Sequence, residues 1–274
     1  MSRATTDPPT PGAELTPLRL AAFNAVFWPY LMTTTALSLA PTLGAYALSV
    51  FDKEKNLLRR FTEEWGAHYL ERSPGAGVTV LGRERAPIGR PAVYVANHES
   101  MVDILAIMSA RLPALWVSKV ENFYAPVLGL NMLLNGYIPV KRGFQPSITR
   151  MMRRCLRELG DGRSLIVFPE GTRSEDGNLR SFFRGAFFLS TRARVPIVPI
   201  CLDGTRGVLQ KGSMMVHPRP VTLQILDPID PRVVDHDSRR LRDLVRAVMT
   251  DELARMRGDL ERRPTASSAS ASQP

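Results

Sequence analysis

The residues best equipped for chemistry gather in three short segments. In Val93-Tyr94-Val95-Ala96-Asn97-His98-Glu99-Ser100-Met101-Val102-Asp103, an apolar stretch runs into a histidine that is followed five positions later by an aspartate. With His98 in a turn and Asp103 on the first turns of a following helix, the carboxylate can accept from one imidazole nitrogen and leave the other free as a base. No nucleophile is assigned to this dyad. The attacking group is then expected to be a hydroxyl of the substrate, its proton taken directly by His98. An isolated H-x-x-x-x-D is a weak signal, because short motifs recur by chance. A second segment, Phe168-Pro169-Glu170-Gly171-Thr172-Arg173-Ser174, also follows an apolar run, Ser164-Leu165-Ile166-Val167. Its glycine permits close approach of the backbone to a ligand, and Arg173 offers a fork matched to phosphate oxygens. The third, Gly136-Tyr137-Ile138-Pro139-Val140-Lys141-Arg142, ends in two cations.

Three such segments can meet only if the surrounding elements bring them to one edge. Short apolar runs at 78–81, 92–96, 114–117, 137–140, 164–168, 195–201 and 221–226 alternate with helical patterns. The clearest helix carries Ile148, Met151, Met152, Cys155, Leu156 and Leu159 on one face, opened near Pro146 and closed by Gly160. Another carries Leu241, Leu244, Val245, Val248, Leu253 and Met256, with Asp237 or Ser238 as its cap. Strands interleaved with helices predict an α/β fold whose mostly parallel sheet is covered on both faces, with the site at the carboxyl ends of the strands.

Ahead of this domain, residues 20–51 form an uncharged run of 32 positions, roughly 48 Å if fully helical and thus longer than a bilayer's hydrocarbon core. Asn24, Pro29, the Thr33–Thr35 triplet and Pro41 interrupt it. The run therefore reads as about two shorter apolar helices, monotopic or spanning once, with Lys53, Lys55, Arg59 and Arg60 marking a cytoplasmic flank. Leu57, Phe61, Trp65 and Tyr69 recur every fourth residue as the apolar stripe of an amphipathic helix ending before Ser73. The expected organisation is a tail at 1–16, a membrane-associating helical segment at 17–72, the α/β domain at 73–260 and a tail at 261–274.

The 274-residue chain has 36 basic and 26 acidic residues, a formal charge of +10, and 31 of the basic residues are arginine. That balance suits phosphate-bearing or lipid-headgroup partners. The aromatics lie within apolar patterns and not in an array interleaved with cations, which argues against nucleic acid. Two cysteines, each within an apolar pattern, argue against a disulfide scaffold and a four-ligand zinc site.

Taken together, Asn97-His98-x-x-x-x-Asp103, the segment 138–142, Phe168 to Ser174 and Val195-Pro196-Ile197-Val198-Pro199-Ile200 resemble the four ordered blocks of the glycerophospholipid acyltransferases, most nearly the 1-acyl-glycerol-3-phosphate acyltransferases. The likeness extends from about residue 57 to residue 230, and Ser118-Lys119 with Pro126 and Gly129 resembles the stretch between the first two blocks. The resemblance implies that His98 is the base, that Asp103 orients it, and that Glu170, Gly171, Arg173 and Arg142 bind a glycerol phosphate acceptor. Lys119, Asn97 and Thr172 join that binding set. It further implies acyl transfer from acyl-CoA or acyl carrier protein to lysophosphatidic acid, with no metal or redox cofactor. In the second block Lys141 stands where an acid is usual. Rival readings are acylation of another lysolipid, thioester hydrolysis, and a non-catalytic basic membrane-binding protein.

Overall fold

The protein is represented by a computed structural model that describes residues 15–52 and 54–261, so the expected tails and Lys53 lie outside the described residues, apart from Leu15, Thr16 and Glu261. Helix α1 (Pro17–Leu37) opens with Pro17 in its first turn and Thr16 as its cap, where a missing N–H costs no intrahelical bond. It runs on through Pro29. The break falls instead at Ser38, whose hydroxyl donates to Thr35 O, and α2 (Leu39–Ala47) then places Pro41 in its own first turn. Two shorter helices are thus present, but neither proline divides them. No helix among the described residues is long and apolar enough to cross a membrane, which corrects the single-span option. The polar Arg19, Asn24 and Thr33–Thr35 dilute α1 below what hydrocarbon would accept.

Helix α3 (Asn56–Glu71) has the expected period but buries a neighbouring face. Leu58, Thr62, Gly66, Ala67 and Leu70 face the core together with Tyr69 of the expected stripe, whereas Leu57 is 47% exposed and Phe61 and Trp65 are only half-buried. Gly66 explains the rotation. A Cβ there would overlap the sulfur of Met108, so α3 lies flush on α4 (Val102–Ser109) along its small-residue face.

The three N-terminal helices are sewn to one another and to the rest by polar side chains. Asn24 pairs with Val216 in both directions, donating to its carbonyl at 2.9 Å and accepting from its N–H at 2.8 Å. Trp28 donates to Met214 O at 2.9 Å, and Thr34 bonds the Tyr69 hydroxyl at 2.7 Å. Buried Thr42 and Thr62 share a cluster with Asn131 and Asn135, from α5 (Leu128–Leu134) and the residue that ends it.

A seven-stranded sheet forms the centre. Its strands are β1 (Gly77–Leu81), β2 (Val93–Ala96), β3 (Ala114–Lys119), β4 (Ile138–Val140), β5 (Ser164–Val167), β6 (Ile197–Asp203) and β7 (Pro220–Ile225), in the order β1-β7-β6-β2-β5-β3-β4. Every pair is parallel except β6 with β7, so β1 and β7 run against the other five. The middle strands are apolar throughout, as burial on both faces demands: all four residues of β2 are buried. Helices α6 (Gln145–Gly160), α7 (Gly185–Ala193) and α9 (Ser238–Glu261) complete the layers, with short α8 (Thr205–Val208) after β6. Asp237 accepts from the amides of Arg239 and Arg240, which settles the cap of α9. The consequence for function is geometric. The carboxyl ends of β2, β3, β4, β5 and β6 share one edge, and they deliver His98, Lys119, Arg142, the 168–174 segment and Thr205 to it.

Candidate active site

Strand β2 ends at Ala96, and the next residues turn sharply into α4. Asp103, wholly buried on the first turn, pins that turn: its Oδ2 accepts from the Glu99 N–H at 2.7 Å, the Ser100 N–H at 2.9 Å and His98 Nδ1 at 2.7 Å. An oxygen facing two backbone donors is an acceptor, so Nδ1 carries the proton and donates. The other ring nitrogen, Nε2, makes no hydrogen bond among the described residues and remains available as a base. The imidazole also lies flat on Phe168, with centroids 4.0 Å apart and planes 15° from parallel. Phe168 belongs to the second segment, yet its part as a platform has no signature in spacing.

The 168–174 segment closes over the same turn. Glu170, 3% exposed, accepts from the His98 N–H at 2.8 Å through one oxygen and from the Arg180 N–H at 2.9 Å through the other. Burial raises its carboxyl pKa, and these two amides act in the opposite direction. Ser174 donates its N–H to His98 O at 2.7 Å. Gly171 has a left-handed φ of 69°, and a Cβ there would press on the Phe183 ring, so both backbone and space require glycine.

Two residues expected among the acceptor ligands are placed otherwise. Asn97, 1% exposed, donates to Leu202 O at 2.9 Å and accepts from Leu202 N–H at 2.8 Å, clasping the end of β2 to β6. Glu170 has both oxygens occupied as described. Each is an internal brace, because main-chain groups left unpaired by the turns take the polar atoms that would otherwise face a ligand. The remaining candidates stand at the open edge. Gly171, Thr172 and Arg173 are half-buried, Arg142 is exposed beyond β4, and Lys119 is about half exposed, 3.6 Å from Glu121. Lys119 pairs in register with Val140, which sets it beside the Lys141-Arg142 end of the neighbouring strand.

The structure adds one constellation that spacing did not suggest. Glu99 is 4% exposed, and burial pushes its carboxyl up to about 7 against the pull of Arg257. Arg257, from α9, reaches Glu99 Oε1 at 2.9 Å, Asp203 Oδ1 at 3.0 Å and Gly177 O at 2.8 Å, tying the end of β6 to two of the site's turns. Glu99 and Arg257 are 158 positions apart in sequence, and Arg257 is one of many arginines in its helix.

The two serine hydroxyls beside this turn, and the two thiols of the chain, are not poised as nucleophiles. Ser100 Oγ donates to Leu209 O, Ser174 Oγ is held by Asp176 and Asn178, and both serines are buried. Cys155 and Cys201 are buried, which raises the pKa of both thiols, that of Cys155 to about 12. Among the described residues no three His, Cys, Asp or Glu side chains gather as a metal site would need.

Against known proteins, the model of the acyltransferase family matches residues 77–203, which contain the dyad, the 168–174 segment and six of the seven strands. The 1-acyl-sn-glycerol-3-phosphate acyltransferase of Chlamydomonas reinhardtii is 33% identical over 230 residues, 81% of this chain and 67% of that protein. The chloroplastic enzyme of the same name from Arabidopsis thaliana is 34% identical over 183 residues, 66% of this chain and 51% of that protein. The crystal structure of the 1-acyl-sn-glycerophosphate acyltransferase from Thermotoga maritima superposes with a TM-score of 0.78 at 24% identity, covering 88% of this chain and 97% of that one. This chain therefore spans two thirds of the algal protein and about half of the Arabidopsis one. The dyad, its edge position, the family match and the algal likeness converge: the chain belongs to the acyltransferase family, as a relative of the 1-acyl-sn-glycerol-3-phosphate acyltransferases.

Proposed function

We propose that this protein transfers a fatty acyl group from a thioester, acyl-CoA or acyl carrier protein, to the free hydroxyl of lysophosphatidic acid, giving phosphatidic acid. The observation that carries the reading is the His98–Asp103 pair at the strand ends, with Nε2 left open as a base and the hydroxyls of Ser100 and Ser174 engaged elsewhere. His98 Nε2 takes the hydroxyl proton of the acceptor, whose oxygen forms a bond to the thioester carbonyl carbon. The resulting tetrahedral oxyanion collapses with cleavage of the C–S bond, and the imidazolium returns its proton to the departing thiolate. Asp103 stabilises the imidazolium and fixes its tautomer. Gly171, Thr172, Arg173, Arg142 and Lys119 are the groups at the edge suited to the acceptor phosphate, and the fork of each arginine matches its oxygens.

The reading includes a lipid surface. Helix α1 exposes Leu18, Val26, Met32 and Leu37, the residues after α2 expose Val50 and Phe51, and we assign this apolar skin to the cytoplasmic face of a membrane. A lysolipid held there reaches the site without crossing water. The experiment is product analysis on lysophosphatidic acid vesicles with labelled thioester. Diacyl lipid should rise with added lysolipid and vanish in His98→Ala. Release of free fatty acid regardless of lysolipid would instead make the protein a hydrolase.

A further inference from the structure

Acyl transfer brings two phosphate-bearing molecules to one histidine, and the strand order offers two cationic stations on opposite sides of it. Lys119 ends β3 and Arg142 follows β4, both on one side of β2. On the other side, next to β2, lies β6, and between it and β7 the chain carries Arg206 and Lys211. These two line a cleft of about 380 Å³ with Glu99, Ser174, Glu175 and Gln210. Glu99 is the chain neighbour of His98, and Ser174 bonds the His98 carbonyl, so the cleft abuts the catalytic turn.

Its wall is built, not draped. Ser100 Oγ donates to Leu209 O at 2.7 Å, His217 N–H to Val208 O at 2.8 Å, and Asn24 holds Val216 from α1. Of the charges, Glu99 on the inner wall is matched by Arg257. Lys211 meets Glu175 at 2.6 Å, but that carboxylate is 70% exposed, and a pair so open to water contributes little. The exposed Arg206 has no hydrogen bond or ion pair among the described residues, leaving one guanidinium for an incoming anion. Arginine is the side chain best matched to phosphate oxygens.

We propose that the Arg206–Lys211 cleft receives the phosphate of the donor's 4′-phosphopantetheine arm, so that donor and acceptor reach His98 from opposite sides. This rests on the acyl-transfer reading above. Coenzyme A and acyl carrier protein share that phosphate, and either can supply it.

The test uses the full chain on lysolipid vesicles, with both thioesters as separate donors. Arg206→Gln should raise the donor KM about tenfold or more, the scale of one charge-assisted contact, with the acceptor KM unmoved. Glu175→Gln should lower the donor KM, because it frees Lys211. As a direct probe, 4′-phosphopantetheine should inhibit competitively against the donor, and its Ki should rise as much in Arg206→Gln, whereas dephosphorylated pantetheine should be insensitive. An unchanged donor KM, a rise in the acceptor KM, or a rise for the CoA thioester with none for the carrier-protein thioester would overturn the assignment. Failure of the wild type to make diacyl lipid from either thioester would sink acyl transfer itself, a separate result visible before any variant is made.

Discussion

Asp103 has two tasks that substitution can separate. Its Oδ2 accepts three hydrogen bonds, two from the amides of Glu99 and Ser100 and one from His98. Asp103→Ala leaves both amides without an acceptor inside a buried turn. At about 1–3 kcal/mol per orphaned buried donor, the loss of stability should be roughly 2–6 kcal/mol. His98→Ala leaves those two bonds intact. It removes one bond and the stack on Phe168, a pair contribution of about 0.5–1.5 kcal/mol, and its side chain is already 12% exposed. Asp103→Asn lies between them, because its oxygen can remain at the Oδ2 position while the amide nitrogen occupies the site of Oδ1, which has no partner and is buried. Activity should fall by at least ~10²-fold in all three, the usual contribution of a positioned base. Stability should fall in the order Asp103→Ala, Asp103→Asn, His98→Ala. Denaturant midpoints and turnover on lysolipid vesicles measure the two effects independently. If Asp103→Ala unfolds no earlier than His98→Ala, the aspartate is not the clamp of the turn; if His98→Ala keeps activity within a few-fold of wild type, the base is elsewhere.

Other substitutions test other parts. Glu63 is buried on α3, and burial pushes its carboxyl up to about 7 despite nearby arginines. The folded state therefore binds this proton more tightly than the unfolded chain at about 4.5, and ionisation destabilises the fold increasingly as pH rises from 4.5 to 7. Glu63→Gln should thus gain roughly 3 kcal/mol at pH 8 and almost nothing at pH 4.5, read from pH-dependent unfolding; an equal gain at both pH values would contradict the assignment. Arg257→Ala should destabilise by roughly 2 kcal/mol, less than a fully buried pair because its guanidinium is a third exposed, and Glu99→Gln added to it should restore part of the loss. Arg173→Lys and Arg142→Lys should each raise the acceptor KM by about 1.5–3 kcal/mol equivalent with the donor KM unmoved, because lysine lacks the planar fork; kinetics in which only the donor KM moves would reassign them.

The strands were legible because burial on both sheet faces leaves an uninterrupted apolar run, and each of the seven runs falls within two residues of an observed strand. The His98–Asp103 contact was legible too, since a turn followed by a helix fixes the distance five positions on. Face and direction were harder. Of the stripe Leu57, Phe61, Trp65 and Tyr69, Tyr69 is buried as its period predicts, but Gly66 and Thr62 win the core from the other three because close helix packing favours small residues over large ones. Asn97 and Glu170 are polar residues in site segments, and a one-dimensional pattern does not distinguish a group facing a ligand from one bonding a buried amide. Arg257 was beyond reach, because its partners are brought together only by the closed fold.

The stitching of α1 to the loop around Val216, and of α2 to α5 through Thr42 and Asn131, bears on how this protein can be re-engineered. Helices joined to the body by apolar contact alone could be exchanged between relatives as a cassette. Here a graft that replaces α1 and α2 without residues 210–217 and 128–135 strands the main chain of Val216 and the amide of Asn131 in a dry interior. Chimeras should therefore be cut so that these segments travel together. Charge placed on the outward face at Leu18, Val26 and Met32 should by contrast leave the stitching intact, because Asn24, Trp28 and Thr42 stay in place.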